Sequence, residues 1–228
     1  MQAEQISERE VLHFLGWRGT PVEEALLSSN RVLTAREAPL LMPAKIVRRF
    51  PIAEDGSLSG TAFLPGGCDV KRMLASCHEA VLLAATLGAQ SERMLLRAQA
   101  KDPQEALLVD AILSAAIEAV CDEAEQMLRN DLLRDRLYLT DRFSPGYGDM
   151  PIDQSREISA VLNTPIAIGM TVSSSGILMP RKSVTAIMGI SRARVERRPS
   201  GCAGCPARAT CAFSRNTKSE LWQEADHV

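Results

Sequence analysis

The sequence predicts an α+β fold: a single domain with a mainly antiparallel sheet flanked by helices, followed by a cysteine-containing C-terminal appendage. Three observations carry that prediction. Helix starts are marked by strong caps, and strand-like apolar segments are short and bounded by Pro or Gly. The two kinds of segment also do not alternate in the regular rhythm of a doubly wound sheet. With 228 residues, 46% hydrophobic and 24% charged, the chain holds enough apolar material for a substantial core. Charge and Gly/Pro content rise from Arg192, which divides an expected domain over residues 1–191 from an extension over 192–228.

Ser7-Glu8-Arg9-Glu10 reads as a capping box, in which hydroxyl and carboxylate satisfy orphan amides reciprocally, and Gly16 supplies the stop. Thr20-Pro21-Val22-Glu23 repeats the logic with proline at the first helical position. Residues 45–52 and 80–87 read as strands, and residues 89–100 as a helix. Asp102-Pro103-Gln104-Glu105 opens the longest helix, expected to reach about Leu133 with Leu113, Ile117, Val120, Ala124 and Met127 as its apolar stripe. Beyond Leu139 the chain is turn-rich. A helix is expected from about Asp153 to Asn163, ended by Pro165. Residues 166–173 and 183–190 read as two strands joined by a loop containing Gly176 and Pro180.

Charge and composition exclude several function classes. Lys plus Arg total 26 against 28 Asp plus Glu, a formal net charge of −2, which is not the basic excess of a duplex binder. Aromatics at 4% are too few for stacking single strands, so no nucleic-acid partner is expected. The first residues lack a basic and apolar leader, and no apolar run approaches the roughly 20 residues that cross a bilayer. A cytoplasmic protein without a membrane partner is the expectation, with its six cysteines reduced, metal-bound or inert.

The most informative stretch is Arg142-x-x-Pro145-Gly146-Tyr147-x-x-x-Pro151. A Pro-Gly pair forces a turn whose backbone can approach a ligand closely. The arginine three residues upstream offers a planar fork for a carboxylate or phosphate, and the tyrosine a flat face with a polar tip. A small zwitterionic or anionic ligand with a flat ring would suit this set; a surface loop with a structural turn would share its composition.

With its neighbours, the pattern resembles the activation (reactivation) domain of cobalamin-dependent methionine synthase, in its stand-alone form. The resemblance rests on Ala85-Thr86-Leu87-Gly88, Ala116-Ile117-Glu118-Ala119, the Arg142 to Tyr147 loop and Met179-Pro180-x-x-Ser183-Val184, in that order. The wording Gly146-Tyr147-Gly148-Asp149-Met150-Pro151 with Gln154 is that of the stand-alone form, and the resemblance covers roughly residues 5–215. It implies an S-adenosylmethionine site. Arg142 would pair with the ligand carboxylate, Ser144 and Pro145 would meet the adenine end, Gly146 and Tyr147 would complete the motif turn, and Glu118 would line the site from the long helix. No catalytic acid or base is implied. The family's N-terminal aspartate contact has no counterpart among residues 6–19.

The resemblance further implies cobalamin on a partner, since the chain has no Asp-x-His-x-x-Gly motif, and no Gly-x-Gly-x-x-Gly loop for a Rossmann-type methyltransferase. The expected partner is a corrinoid-carrying methionine synthase or related corrinoid protein, with flavodoxin or ferredoxin as electron donor and methionine biosynthesis as the pathway. Cys202-x-x-Cys205-x5-Cys211 supplies three thiolates in a Gly/Pro-containing segment, a candidate iron–sulfur or zinc site. Its fourth ligand could come from Cys68, Cys77, Cys121 or a partner, although Cys77 and Cys121 lie in apolar segments and read as core. Two rival functions stay open: an iron–sulfur electron relay, and an S-adenosylmethionine sensor without methyl transfer.

Overall fold

The computed structural model describes residues 1–17 and 21–195. Its centre is a four-stranded sheet in the order β1-β2-β6-β3, antiparallel throughout. β1 (Ala44–Pro51) pairs along its whole length with β2 (Glu79–Thr86), which in turn pairs with β6 (Ser183–Ser191). β3 (Tyr138–Leu139) adds a short outer edge against Ser191 and Ile190. The α+β prediction and the antiparallel sheet flanked by helices are what the chain adopts.

Both faces of the sheet are covered, which explains why β2 reads as an unbroken apolar run although its neighbours are antiparallel. Val81, Leu83 and Ala85, with Ala186, Met188 and Ile190, face one hydrophobic cluster. α1 (Glu8–Phe14), α2 (Glu24–Glu37), α4 (Ala89–Lys101) and α5 (Pro103–Arg134) contribute the helical side of that cluster. Ala80, Leu82, Ala84 and Ile187 point the other way, into a second cluster with Val70 and Leu74 of α3 (Cys68–Leu74) and Ile158 and Leu162 of α6 (Gln154–Leu162). β1 is an edge strand, and Lys45, Arg48 and Arg49 on it are the charges that discourage edge-to-edge pairing.

Several elements begin where the sequence puts them. Ser7 Oγ accepts the Glu10 amide, and the Asp102 carboxylate accepts the Gln104 amide at 3.0 Å with proline in the first turn of α5. Others differ. α2 starts at Glu24 rather than at Pro21, and Thr20 lies outside the described residues. The apolar stripe of α5 is buried at Leu113, Ile117, Val120 and Ala124, but Met127 is exposed and Leu132 takes over. The expected strand over residues 166–173 is instead α7 (Thr164–Ile168), followed by the two-residue β4 (Thr171–Val172), which pairs with β5 (Leu178–Met179). Pro165 sits in the first turn of α7, where its missing N–H costs nothing, so it opens a helix as well as following one. Asn163 in the left-handed region joins α6 to α7. The extension over 192–228, with Cys202, Cys205 and Cys211, lies outside the described residues from position 196 onward.

Candidate functional site

After β3 the chain returns to β6 at one further point. Phe143 exchanges two backbone hydrogen bonds with Ile187, at 2.9 and 2.8 Å, which fixes the loop against the middle of the sheet. Successive side chains of extended backbone point to opposite faces. Phe143 enters the second cluster, and Arg142 is directed to the α5 side.

There Arg142 meets three carboxylates of α5. Its Nη2 donates to Asp122 Oδ1 at 2.5 Å and to Glu118 Oε2 at 3.3 Å, while Nε lies 3.0 Å from Glu125 Oε2. Positions 118, 122 and 125 follow i, i+4, i+7 spacing and share one helix face. Arg129, one turn further on, holds Glu125 at 2.7 Å and donates to the carbonyls of Leu139 and Thr140, tying α5 to the start of the loop. The Arg142 side chain is only 18% exposed, and its Nη1 is buried with no hydrogen-bond partner among the described residues.

Burial raises the Glu118 carboxyl above its ordinary 4.5; Arg142 pulls the other way, while the charges of Asp122 and Glu10 add to the rise. The charge of Glu10, on α1, thus acts on Glu118 from the N-terminal segment. Burial also pushes the Cys121 thiol up to about 12, so beside Arg142 it stays a neutral, inert core thiol.

The turn that follows is built from its own backbone. Gly146 donates to the Met150 carbonyl, Tyr147 to Ser144, and Met150 to Tyr147. Gly146 has φ +90°, and a Cβ there would come within 2.9 Å of Ile152 Cδ1. Pro145 is buried, Ser144 half-buried, Gly146 exposed, and the Tyr147 side chain stands 71% exposed at the tip.

A second anchor was missed from sequence. The Asp149 carboxylate accepts the amides of Cys68 and Asp69 at the start of α3, at 2.5 and 3.0 Å, and those amides hold its pKa below the ordinary value. The buried Gln154 accepts from the Gly66 amide at 2.8 Å and donates to the Leu64 carbonyl at 2.9 Å. Residues 64–69 are therefore clasped to residues 149–154.

Of the expected site residues, the structure brings Glu118 and Arg142 into direct contact and strings Ser144, Pro145, Gly146 and Tyr147 along the adjoining turn. Asp122, Glu125 and Arg129 were not anticipated, although the helical spacing of the three carboxylates was a readable signal. Cys202, Cys205 and Cys211 lie outside the described residues. Of their suggested fourth ligands, Cys68 is exposed, Cys77 half-buried and Cys121 buried, and burial raises the thiol pKa of the last two. No group of three His, Cys, Asp or Glu side chains able to hold a metal occurs among the described residues. Among those residues, no helix is long and apolar enough to cross a membrane.

No protein-family model matches this chain, and no curated protein matches it. Among solved structures, the crystal structure of the MetH reactivation domain bound to AdoHcy is similar, with a TM-score of 0.61 and 16% sequence identity. The match covers 83% of this chain and 76% of that one. At that identity the likeness is one of fold.

Proposed function

We propose that this protein binds S-adenosylmethionine beside Arg142 and supports the reductive methylation of a corrinoid held by a partner protein. One observation carries the reading. In a fold similar to that of a reactivation domain bound to AdoHcy, a mostly buried guanidinium keeps one nitrogen without a hydrogen-bond partner among the described residues, on the loop whose residues carry the resemblance. An orphaned buried donor of this kind fits an incoming carboxylate, because leaving it unmade is costly.

The chain's own residues would act by position. Arg142 would fix the amino-acid end of the ligand, and the Ser144 to Tyr147 turn would present backbone groups and an exposed ring to its nucleoside end. Glu118, half-buried and beside Arg142, would line the space between them. When bound, the sulfonium supplies the methyl group, and holding it in place lowers the entropic cost of transfer to a partner's corrinoid. No side chain here needs to gain or lose a proton. This sequence has no corrinoid-ligating motif, so in this reading the corrinoid is carried outside these residues, with the electron drawn from an external donor.

Calorimetry tests the reading. The protein should bind S-adenosylmethionine, and Arg142→Ala should weaken binding by roughly 1.5–3 kcal/mol, the range for a hydrogen bond to a charged group. Equal affinity in the variant would remove the loop from the site. Binding without methylation of any added cob(II)alamin-loaded partner under reducing conditions would favour the sensor reading instead.

A further inference from the structure

The guanidinium of Arg142 offers two forks to a carboxylate, Nε with Nη2 and Nη1 with Nη2, and Nη2 belongs to both. That shared nitrogen is taken by Asp122 at 2.5 Å and, more loosely, by Glu118 at 3.3 Å. Nε lies in ion-pair contact with Glu125 at 3.0 Å, and Nη1 is buried with no hydrogen-bond partner among the described residues. A carboxylate arriving on either fork must therefore displace whatever sits on Nη2.

The three α5 carboxylates are not equally easy to displace. Glu125 is 17% exposed and is held from its other side by Arg129, so it is fixed. Asp122 is 68% exposed and can swing into water with little loss of solvation. It also makes the shorter of the two contacts to Nη2.

We propose that Asp122 is a self-competing latch: its carboxylate occupies the place of the ligand's carboxylate on Arg142 and sets affinity by competition, while Glu125 positions the guanidinium. This rests on the ligand reading above and adds to it a residue whose removal should improve binding. Asp122 is then a regulator of occupancy, and Glu125 a positioning residue.

The test uses two probes. S-adenosylhomocysteine carries the amino-acid carboxylate without the sulfonium charge; 5′-methylthioadenosine carries neither the carboxylate nor that charge. Titrated by calorimetry against the full chain, Asp122→Ala should bind S-adenosylhomocysteine roughly 1.5- to 5-fold more tightly than the parent, the worth of an exposed ion pair. Its affinity for 5′-methylthioadenosine should not change. Glu125→Gln should weaken S-adenosylhomocysteine binding, since the guanidinium loses its fixed anchor. Unchanged or weaker S-adenosylhomocysteine binding by Asp122→Ala overturns the latch, and so does an equal gain for both probes. Failure of the parent protein to bind either probe overturns the ligand reading itself, and the latch with it.

Discussion

The loop from Arg142 to Gln154 is held at its two ends by different chemistry. At the Arg142 end the fastening is side chain to side chain, with Glu118, Asp122 and Glu125 ranging from mostly buried to mostly exposed. At the far end, Asp149 and Gln154 grip backbone amides and a carbonyl of residues 64–69. A backbone partner cannot swing away into water, whereas an exposed carboxylate can. The first end is thus suited to exchanging one partner for another, and the second to holding the turn in place while that happens.

The sharpest way to break this contrast is to attack the fixed end at Gly67. Its φ is +91°, and a Cβ there would lie 2.6 Å from Asp149 Oδ1 and 2.9 Å from the Asp149 carbonyl oxygen. Gly67→Ala combines left-handed strain with a clash against backbone. It should cost about 2–4 kcal/mol in urea unfolding. A loss below about 1 kcal/mol would mean that residues 149–154 give way easily, and the fixed end is not fixed.

The next step down is Gln154→Ala. Two hydrogen bonds disappear, and the Gly66 amide and Leu64 carbonyl lose their side-chain partner. The expected loss is about 1–2 kcal/mol, with faster amide exchange at Gly66 as the local signature. Unchanged exchange at Gly66 would show that the amide had found another partner.

The two ends also differ in how far the sequence revealed them. Arg142 stood out because a planar cation beside a Pro-Gly turn is a local pattern, and Glu118 came with the resemblance. The α5 strap was legible from its Asp-Pro start, as were β1, β2, α4 and β6 from their lengths and bounding turns. α3 escaped notice because its start is satisfied by Asp149, 80 residues away in the chain. Residues 64–69 look like an ordinary Pro-Gly-Gly loop until the fold supplies the partner. The strand expected over residues 166–173 survives only at β4, and its first part is α7 for a local reason. Ile166 and Ile168 are β-branched, but the proline and the left-handed Asn163 decide in favour of a short helix. Met127 extends the α5 stripe on periodicity alone, but it is exposed and Leu132 is the buried residue of the last turns.

The finest discrimination between the two ends is their response to acid. Glu118 titrates above its ordinary 4.5, chiefly because burial disfavours its charge, so the folded protein takes up this proton before the unfolded chain does. Its contribution to stability therefore falls as pH rises from 4.5 through the folded pKa. Asp149 titrates below its ordinary 3.8, because the Asp69 and Cys68 amides stabilise the anion. Its contribution is present above 3.8 and is lost as pH falls through the still lower folded pKa. Acidification should thus neutralise a partner of Arg142 first and release the Asp149 clasp last. Carboxyl-carbon NMR titration reads both events in one experiment. The Glu118 midpoint should lie above 4.5 and the Asp149 midpoint below 3.8. A Glu118 midpoint below 4.5 would mean that attraction to Arg142 outweighs burial. The Arg142 end would then be held as firmly as the other, and the distinction between an exchangeable and a fixed fastening would fail.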